Sequence, residues 1–140
     1  MGQRILGLDV GDRTVGIAAS DLLKMTAQGV KTIRRGELAD DLARLDELMH
    51  EYDAVQLVVG LPRNMNGTEG ERCEFVRSFA AEIKKMRPDA EIIFWDERLS
   101  TVAASKSLIA ADVSRKKRKK VIDKMAAVFI LQGYLDSLTK

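Results

Sequence analysis

The amino-acid sequence predicts an α/β protein in which a mixed five-stranded sheet carries helices on both faces. Two patterns favour this fold class. Near the N-terminus, short apolar runs are joined by turn residues, which is typical of antiparallel strands. Farther along the chain, segments with helical periodicity alternate with continuous apolar runs, which is typical of parallel strands joined by crossover helices. The 140 residues have the length of one compact domain.

Three antiparallel strands are predicted first, at residues 4–10, 14–20 and 29–33. The first two are short and apolar, and the Gly-Asp-Arg connection between them begins with Gly11, which tolerates a positive φ angle. These features predict a β-hairpin. The third strand extends the hairpin into a meander.

Two helix–strand units follow the meander. Apolar residues recur at helical spacing over 38–52, and the continuous apolar run at 54–60 predicts a buried strand. A second amphipathic helix is predicted within 68–86, and Pro88 ends it before the strand at 91–95. Right-handed crossovers place both new strands beyond the first one, so the predicted spatial order is 3-2-1-4-5, with strand 2 antiparallel.

The C-terminal part of the sequence predicts two more helices. Ser100 is suited to cap a short helix over 101–110, and a final helix is predicted over 119–138. The basic run RKKRKK, at 115–120, immediately precedes that last helix. This run concentrates positive charge in one segment, although the net charge of the chain is only +2.

Composition excludes several classes of protein. Apolar residues make up 46% of the chain and charged residues 31%, and no apolar segment approaches the roughly 18 residues needed to cross a bilayer. The single cysteine, Cys73, excludes an internal disulfide framework, and the N-terminus enters a strand pattern without a signal-peptide pattern. The sequence therefore predicts a cytoplasmic protein without a membrane partner.

Carboxylates from three distant parts of the sequence are predicted to meet at one edge of the sheet. Asp9 lies near the C-terminal end of the first strand, and Asp96 and Glu97 follow the fifth strand. Parallel strands end at the same edge, where α/β sheets bind their ligands. Asp123 shares a helical face with small apolar residues that must pack against the sheet, which brings it toward Asp9.

Each carboxylate also has a purely structural explanation. Asp9 can accept backbone N–H groups in the hairpin turn, and Asp123 can interact with the N-terminal dipole of its helix. Either Asp96 or Glu97 can pair with Arg98 or lie exposed at the strand end. These explanations treat the residues one at a time, so the convergence of three elements favours a common site.

Three converging carboxylates repel one another unless a cation neutralises them. Oxygen ligands select hard ions such as Mg²⁺ or Mn²⁺, and Mg²⁺ commonly retains waters and accepts phosphate oxygens. Two such ions about 3.5–4 Å apart activate water and stabilise the leaving oxygen in phosphodiester hydrolysis. The acidic cluster therefore predicts a metal-dependent hydrolase.

Four sequence blocks resemble one known family. The blocks are GLDVGDRTVGIAASD, VVGLPRNMNGTEG, WDERLST and DKMAAVFILQGYL, and in this order and spacing they resemble the YqgF/RuvX family, described as Holliday junction resolvases and as pre-16S rRNA nucleases. The resemblance covers nearly the whole chain. It implies an RNase H-like fold, with residues 1–140 as a single nuclease domain, and metal-dependent phosphodiester hydrolysis. By motif position it implies Asp9, Glu97 and Asp123 as catalytic carboxylates and metal ligands. Asp96 is either a residue that supports these ligands or a substitute for Glu97.

Basic and amide side chains near the same edge are candidate ligands for nucleic-acid phosphates, although each is also an ordinary surface residue. Arg13 follows the hairpin turn, and Arg63 and Asn64 lie in the glycine-rich loop after the fourth strand. That loop lacks the Gly-Lys-Ser/Thr ending of a P-loop, so nucleotide binding by that motif is not expected. The basic run adds a further set of candidates, namely Arg115, Lys116, Lys117 and Arg118.

The sequence therefore predicts a Mg²⁺- or Mn²⁺-dependent endonuclease that processes the 5′ end of a 16S rRNA precursor. The alternatives are a Holliday junction resolvase acting on branched DNA and a non-catalytic nucleic-acid binder that assists ribosome assembly. A monomer or weak homodimer is expected, and symmetric junction cleavage requires two sites. The hairpin also resembles that of actin-like ATPases and sugar kinases, but these proteins have two such lobes and 140 residues supply one.

Overall fold

The computed structural model describes residues 3–99 and 115–138, and within the last helix it describes side chains from Met125 onward. The elements, in chain order, are β1 (Ile5–Val10), β2 (Thr14–Ser20), β3 (Ala27–Arg34), α1 (Leu38–Glu51), β4 (Gln56–Leu61), α2 (Glu71–Met86), β5 (Glu91–Asp96), a 3₁₀ turn (Glu97–Leu99) and α3 (Arg115–Leu138). The short helix predicted at 101–110, with its cap Ser100, lies outside the described residues. None of the described helices is both long and apolar enough to cross a membrane.

The five strands form one sheet in the order β3-β2-β1-β4-β5. Strand β1 pairs with β2, and β2 with β3, in antiparallel orientation, whereas β1 pairs with β4, and β4 with β5, in parallel orientation. The predicted order and orientations are confirmed. Strand β1 is central, and the parallel strands β1, β4 and β5 end at the same edge of the sheet, here called the carboxyl edge.

Each face of the sheet contributes to a separate apolar cluster. On one face, Leu8 and Val59 pack with buried residues of α1 and α2. On the other face, Ile5 and Val58 pack with buried residues of α3. We call these the α1/α2 face and the α3 face. Because side chains alternate along a strand, positions 7 and 9 of β1 lie on the α3 face with Ile5.

Helix α3 approaches β1 closely because Gly7 has no side chain. A β-carbon added at Gly7 would lie 2.7 Å from Leu131 Cβ and 3.0 Å from the Ala127 carbonyl oxygen, so any larger residue would push the helix away. Farther along α3, Gln132 Oε1 accepts a hydrogen bond of 2.9 Å from the backbone N–H of Ala27, the first residue of β3. Because β3 runs parallel to β1, the helix extends from the carboxyl edge toward the opposite edge.

The start of α3 and the length of β3 differ from the prediction, and other boundaries shift by one to three residues. Helix α3 begins at Arg115 rather than at residue 119, so the basic run forms the first turns of the helix instead of preceding it. Arginine and lysine are favourable helix formers, and this propensity outweighs the repulsion among like charges. Strand β3 spans Ala27–Arg34 rather than 29–33, because it pairs with the whole of β2.

Candidate functional site

Asp9 lies one residue before the end of the central strand β1. Its neighbours Leu8 and Val10 are buried in the cluster on the α1/α2 face, whereas Asp9 is only partly buried. Burial of these neighbours fixes which face each residue of β1 presents, because a slip by one residue would expose the apolar set. The strand therefore holds the Asp9 carboxylate on the α3 face at the carboxyl edge, which is the position that the sequence predicts.

Glu97 lies on the same face, immediately after β5. A β-carbon added at Gly60 would lie 3.4 Å from the Glu97 carboxyl carbon and 2.4 Å from Ile130 Cδ1 of α3. The Glu97 carboxylate therefore lies over the end of β4, next to the helix. Gly60 makes this possible, because any side chain at that position would occupy the space between the sheet and α3.

Asp9 and Glu97 approach Gly60 from its two sides. In the parallel pairing of β1 with β4, Leu8 lies opposite Val59, and one residue farther along these strands lie Asp9 and Gly60. Adjacent strands are about 4.8 Å apart. The two predicted carboxylates therefore come from the strands on either side of β4, and both belong to the α3 face at the carboxyl edge.

Asp96, the neighbour of Glu97, has a different environment. Arg98 donates to its carboxylate through Nη2, at 2.7 Å from Oδ2, and through Nε, at 3.1 Å from both oxygens. The backbone N–H of Arg98 also donates to Asp96 Oδ1 at 2.9 Å. These hydrogen bonds from Arg98 lower the pKa of Asp96 below its ordinary value. By strand alternation Asp96 belongs to the α1/α2 face, away from α3.

Asp123 lies in the first part of α3, where side chains fall outside the described residues. The helix backbone places position 123 one turn before Ala127, on the same helical face. Ala127 contacts Gly7, which lies two residues before Asp9. Because α3 extends from the carboxyl edge toward the opposite edge, position 123 lies nearer the carboxyl edge than Ala127 does. The predicted phosphate ligands of the basic run occupy the same end of α3: Arg115, Lys116, Lys117 and Arg118.

Asp9 and Glu97 are the candidate metal ligands among the described side chains. Among them, no group of three His, Cys, Asp or Glu residues is arranged to hold a metal ion. The side chain of Asp123 is not in that set. Asp9 and Glu97 provide carboxylate oxygens, which suit hard divalent ions, and Gly60 lets Glu97 and α3 lie close to the sheet.

The β1–β2 turn carries Arg13 close to Asp9. The turn is closed by a hydrogen bond of 2.9 Å from the backbone N–H of Gly11 to the Thr14 carbonyl oxygen. Arg13 is exposed, while its carbonyl oxygen accepts a hydrogen bond of 2.7 Å from the backbone N–H of Arg35. The turn is thus fixed through its backbone, and the Arg13 side chain lies at the surface beside the carboxyl edge.

The loop between β4 and α2, residues 62–70, carries Arg63 and Asn64 at the same edge. Arg63 Nη2 lies 3.4 Å from Glu69 Oε2, and Arg63 Nε is buried without a hydrogen-bond partner in the described part of the chain. Asn64 is exposed, but its Nδ2 donates to Thr68 Oγ1 at 3.0 Å. Asn64 therefore shapes the loop, and Arg63 is the better placed of the two to bind a phosphate.

Arg98 connects this loop to the end of β5. A β-carbon added at Gly67 would lie 3.3 Å from Arg98 Nη1, and Gly67 has a φ of +88°, a conformation that favours glycine. Arg98 Nη1 also lies 3.4 Å from the Met65 carbonyl oxygen. Through these contacts Arg98 holds the loop against the segment that carries Asp96 and Glu97.

Two arginines that hold the β1–β2 turn were missed by sequence reasoning. Arg35 Nη1 donates to the Gly11 carbonyl oxygen at 3.0 Å, and Arg72 Nη1 donates to Asp12 Oδ1 at 2.8 Å. They come from the segment after β3 and from α2, so their approach to the turn depends on the tertiary fold. No local pattern around either residue indicates this contact.

Asp41, the carboxylate partner of Arg35, could have been identified from the sequence. Its side chain is 1% exposed and lies 3.4 Å from Arg35 Nε. Asp41 precedes Leu45 and Leu48 by four and seven residues, so it occupies the apolar stripe of α1. A carboxylate on a buried stripe needs a partner. The same reasoning that selected Asp123 would have selected Asp41.

Comparison with known proteins identifies relatives of this chain. The family model described as "RuvX: Holliday junction resolvase" matches residues 3–137. A protein of Clostridium tetani (strain Massachusetts / E88) is 57% identical over 135 residues, which cover 96% of this chain and 97% of that protein. One of Staphylococcus carnosus (strain TM300) is 56% identical over 137 residues, with 96% of each chain covered. Both carry the provisional name pre-16S rRNA nuclease.

Solved structures show the same fold at low sequence identity. RuvC of T. thermophilus in complex with a Holliday junction substrate has a TM-score of 0.60 and 11% identity, with 98% of this chain and 96% of that chain covered. The fowlpox virus Holliday junction resolvase has a TM-score of 0.54 and 15% identity, with 97% and 99% covered. These likenesses show the fold, which is the RNase H-like fold of RuvC-type resolvases.

Proposed function

The chain belongs to the RuvX family, and from this membership we propose that it is a metal-dependent nuclease that hydrolyses phosphodiester bonds. The observation that carries the proposal is the placement of Asp9 and Glu97 on either side of Gly60, on the α3 face at the carboxyl edge. Two carboxylates on one face of the sheet, at the edge where the parallel strands end, offer the oxygen ligands that hard divalent ions prefer.

We assign Asp9, Glu97 and Asp123 as the catalytic carboxylates and metal ligands. The contacts of Asp96 with Arg98 support Glu97 as the ligand, because they engage the Asp96 carboxylate on the other face. The backbone position of Asp123, in the part of α3 nearest the carboxyl edge, supports the third ligand. When bound, Mg²⁺ or Mn²⁺ supplies a water of lowered pKa and a charge that stabilises the leaving oxygen. The carboxylates hold this group at a fixed place relative to the sheet.

The basic residues around the carboxyl edge bind and orient the nucleic-acid backbone in this proposal. Arg13 and Arg63 have guanidinium groups, whose planar donors match phosphate oxygens. Asn64 contributes an exposed amide, although it also bonds within its own loop. The first turn of α3 adds positive charge at the end of the helix nearest Asp9, through Arg115, Lys116, Lys117 and Arg118.

Neutralising three residues of α3 tests the phosphate-binding role. In a variant with Lys116, Lys117 and Arg118 all changed to glutamine, the slope of log affinity against log salt should fall by about 2–3, because each neutralised phosphate contributes about 0.7–0.9. Binding titrations at several salt concentrations measure this slope. An unchanged slope would confine these residues to a solvated surface.

Among nucleic acids, we propose the 5′ end of a 16S rRNA precursor as the substrate. The provisional names of relatives at 57% and 56% identity support this choice. Branched DNA is the second candidate, because the family description names a Holliday junction resolvase and a structural neighbour holds a junction substrate. That neighbour is only 11% identical, so its substrate carries less weight. We further propose that residues 1–140 act as a single nuclease domain in the cytoplasm, as a monomer or weak homodimer.

Parallel digestion of two labelled substrates tests this function. Precursor 16S rRNA and a four-way DNA junction are each incubated with the protein in Mn²⁺ and in EDTA. We expect cleavage near the 5′ end of the rRNA in Mn²⁺ and none in EDTA. Cleavage that persists in EDTA contradicts metal dependence, and cleavage of the junction alone transfers the proposal to branched DNA. Tight binding of both substrates without cleavage supports the non-catalytic alternative.

A further inference from the structure

We propose that Arg35 is a positioning residue for the nuclease site, and that Asp41 holds Arg35 in place. The inference rests on the proposed function. Arg35 lies outside the acidic cluster and the phosphate-binding residues named above. Arg35 nevertheless contacts the turn between Asp9 and Arg13. It therefore fixes a catalytic carboxylate relative to a phosphate ligand.

Arg35 fixes the turn at two points. Its backbone N–H donates to the Arg13 carbonyl oxygen at 2.7 Å, and its Nη1 donates to the Gly11 carbonyl oxygen at 3.0 Å. Gly11 follows Asp9 by two residues, and the intervening Val10 is buried. Displacement of Gly11 therefore cannot be absorbed by a flexible segment before it reaches Asp9.

The guanidinium of Arg35 is itself held by two helices. On the α1 side, the Asp41 carboxylate lies 3.4 Å from Arg35 Nε and accepts a hydrogen bond of 3.0 Å from the backbone N–H of Gly36. On the α2 side, the guanidinium carbon lies 5.2 Å from the ring centre of Phe75 and 4.8 Å from that of Phe79. The Arg35 side chain is 16% exposed and that of Asp41 is 1% exposed.

This environment requires an arginine rather than any cation. The planar guanidinium presents donors in a fixed fork, so one group reaches Asp41 and the Gly11 carbonyl oxygen together while stacking on aromatic rings. A lysine ammonium is a point charge on a flexible stem. It can neutralise Asp41, which protects the fold, but it cannot reproduce the contact to the turn at the same time.

The Arg35→Lys variant is the principal test. Under single turnover with saturating precursor rRNA and Mn²⁺, its cleavage rate constant should fall by about 10- to 100-fold, since small misplacements of reacting groups cost rate on this scale. The dissociation constant for the rRNA should stay near the wild-type value, because most phosphate ligands lie elsewhere. Arg87→Lys is the matched control: the Arg87 side chain is 20% exposed, and its Nη1 donates to Asp46 Oδ1 at 3.0 Å near the start of β5, at the opposite edge of the sheet from the turn. It should cleave at the wild-type rate.

Hydrogen exchange of backbone amides provides a readout that does not depend on activity. The Gly11 amide, which bonds to the Thr14 carbonyl oxygen, should exchange faster in Arg35→Lys than in the wild type and should be unchanged in Arg87→Lys. A second variant, Arg35→Met combined with Asp41→Asn, removes the pair without leaving a buried charge unpaired. It should show the same slower cleavage and faster exchange, with a cooperative thermal transition as evidence of folding.

The outcomes separate this inference from the proposed function. Wild-type cleavage rates in both variants overturn the positioning role and leave the nuclease proposal intact. A loss of rRNA affinity as large as the loss of rate also overturns it, because Arg35 would then act in binding. Unchanged Gly11 exchange in both variants shows that Arg35 does not hold the turn. Absence of cleavage by the wild-type chain overturns both proposals, and the wild-type control alone reveals it.

Discussion

The two faces of the sheet carry different side chains at equivalent places along the same strands. On the α1/α2 face, β1 and β4 present Leu8 and Val59, both 0% exposed. On the α3 face, the neighbouring positions are Gly7, Asp9 and Gly60. One face buries apolar side chains up to the carboxyl edge, whereas the other carries glycines and a carboxylate there and lets α3 pack close to the strands.

This difference indicates that one face contributes mainly to stability and the other mainly to the proposed chemistry. Stability near the carboxyl edge depends on the α1/α2 face, where apolar side chains from β1, β4, α1 and α2 are buried together. The proposed chemistry depends on the α3 face, where helix and sheet approach closely at glycine positions. Substitutions on the two faces should therefore have effects of different kinds, even at adjacent residues.

The largest effect is expected for Asp9→Asn on the α3 face. Loss of a metal-ligating carboxylate should lower the rate constant for rRNA cleavage by about 1,000-fold, because the bound ion carries the stabilisation of transition-state charge. Stability should be unchanged or higher, since one of several neighbouring like charges is removed. Single-turnover cleavage and urea unfolding measure the two effects.

Asp40→Asn is the control for that substitution. Asp40 is an exposed carboxylate in the first turn of α1, on the opposite side of the sheet from α3. It should keep the wild-type cleavage rate. Wild-type turnover by Asp9→Asn would remove Asp9 from the site.

Leu8→Ala, at the residue adjacent to Asp9, should give the opposite result. Leu8 is fully buried, so truncation should lower the free energy of unfolding by about 3 kcal/mol, from lost burial and the cavity that remains. The fraction that stays folded should cleave at the wild-type rate. Urea unfolding and cleavage at a temperature well below the transition test this, and a loss of rate without a loss of stability would contradict the division of tasks.

Gly60→Ala should affect both stability and cleavage rate, because Gly60 lies where the sheet, α3 and Glu97 are in contact. The added methyl group would lie 2.4 Å from Ile130 Cδ1, and overpacking of this kind costs about 1–3 kcal/mol. Cleavage should also slow as the Glu97 carboxylate is displaced. Adding Ile130→Val, which removes the Cδ1 atom, should recover part of the stability.

Gly36→Ala is the control for unfolding in that experiment. A β-carbon at Gly36 would have no neighbour within 4 Å, so overpacking is not expected there. Equal destabilisation by both alanine substitutions would show that contact with α3 is not the cause.

The smallest effect is expected for Asp96→Asn. The hydrogen bonds from Arg98 lower the pKa of Asp96 in the folded protein, so the ionised carboxylate stabilises the fold above its ordinary pKa of about 4. This contribution is lost as the pH falls through the lowered pKa. The substitution should cost less than about 1 kcal/mol at neutral pH and progressively less below pH 4. Cleavage should persist, and its loss would move the ligand role from Glu97 to Asp96.

The fold was largely predictable because its determinants are local. Apolar alternation and helical periodicity identify the strands and the first two helices, and the handedness of crossovers then leaves one spatial order for β1, β4 and β5. The start of α3 was not predictable in this way. A run of six basic residues is consistent with a solvated segment as well as with a helix, and its helical conformation depends on its continuity with the apolar turns that follow.

The candidate site was predictable only where a local pattern marked its residues. Asp9 interrupts an apolar strand, and this anomaly is visible in the sequence. The difference between Asp96 and Glu97 was not, because adjacent residues at a strand end differ only in the face that each presents. The hydrogen bond from Arg35 to the turn joins residues that are brought together only by the tertiary fold, so no local sequence pattern predicts it.

Titration with Mn²⁺, followed by ¹H–¹⁵N NMR, tests the central claim most directly, because the paramagnetic ion broadens the signals of nearby amides even when it binds weakly. In the wild type, the amide signals of Asp9, Gly60 and Glu97 should broaden first. This broadening should disappear in a variant that combines Asp9→Asn with Glu97→Gln. Broadening that persists in this variant, or that appears only along the exposed carboxylates of α1, would contradict a metal site between β1 and β5.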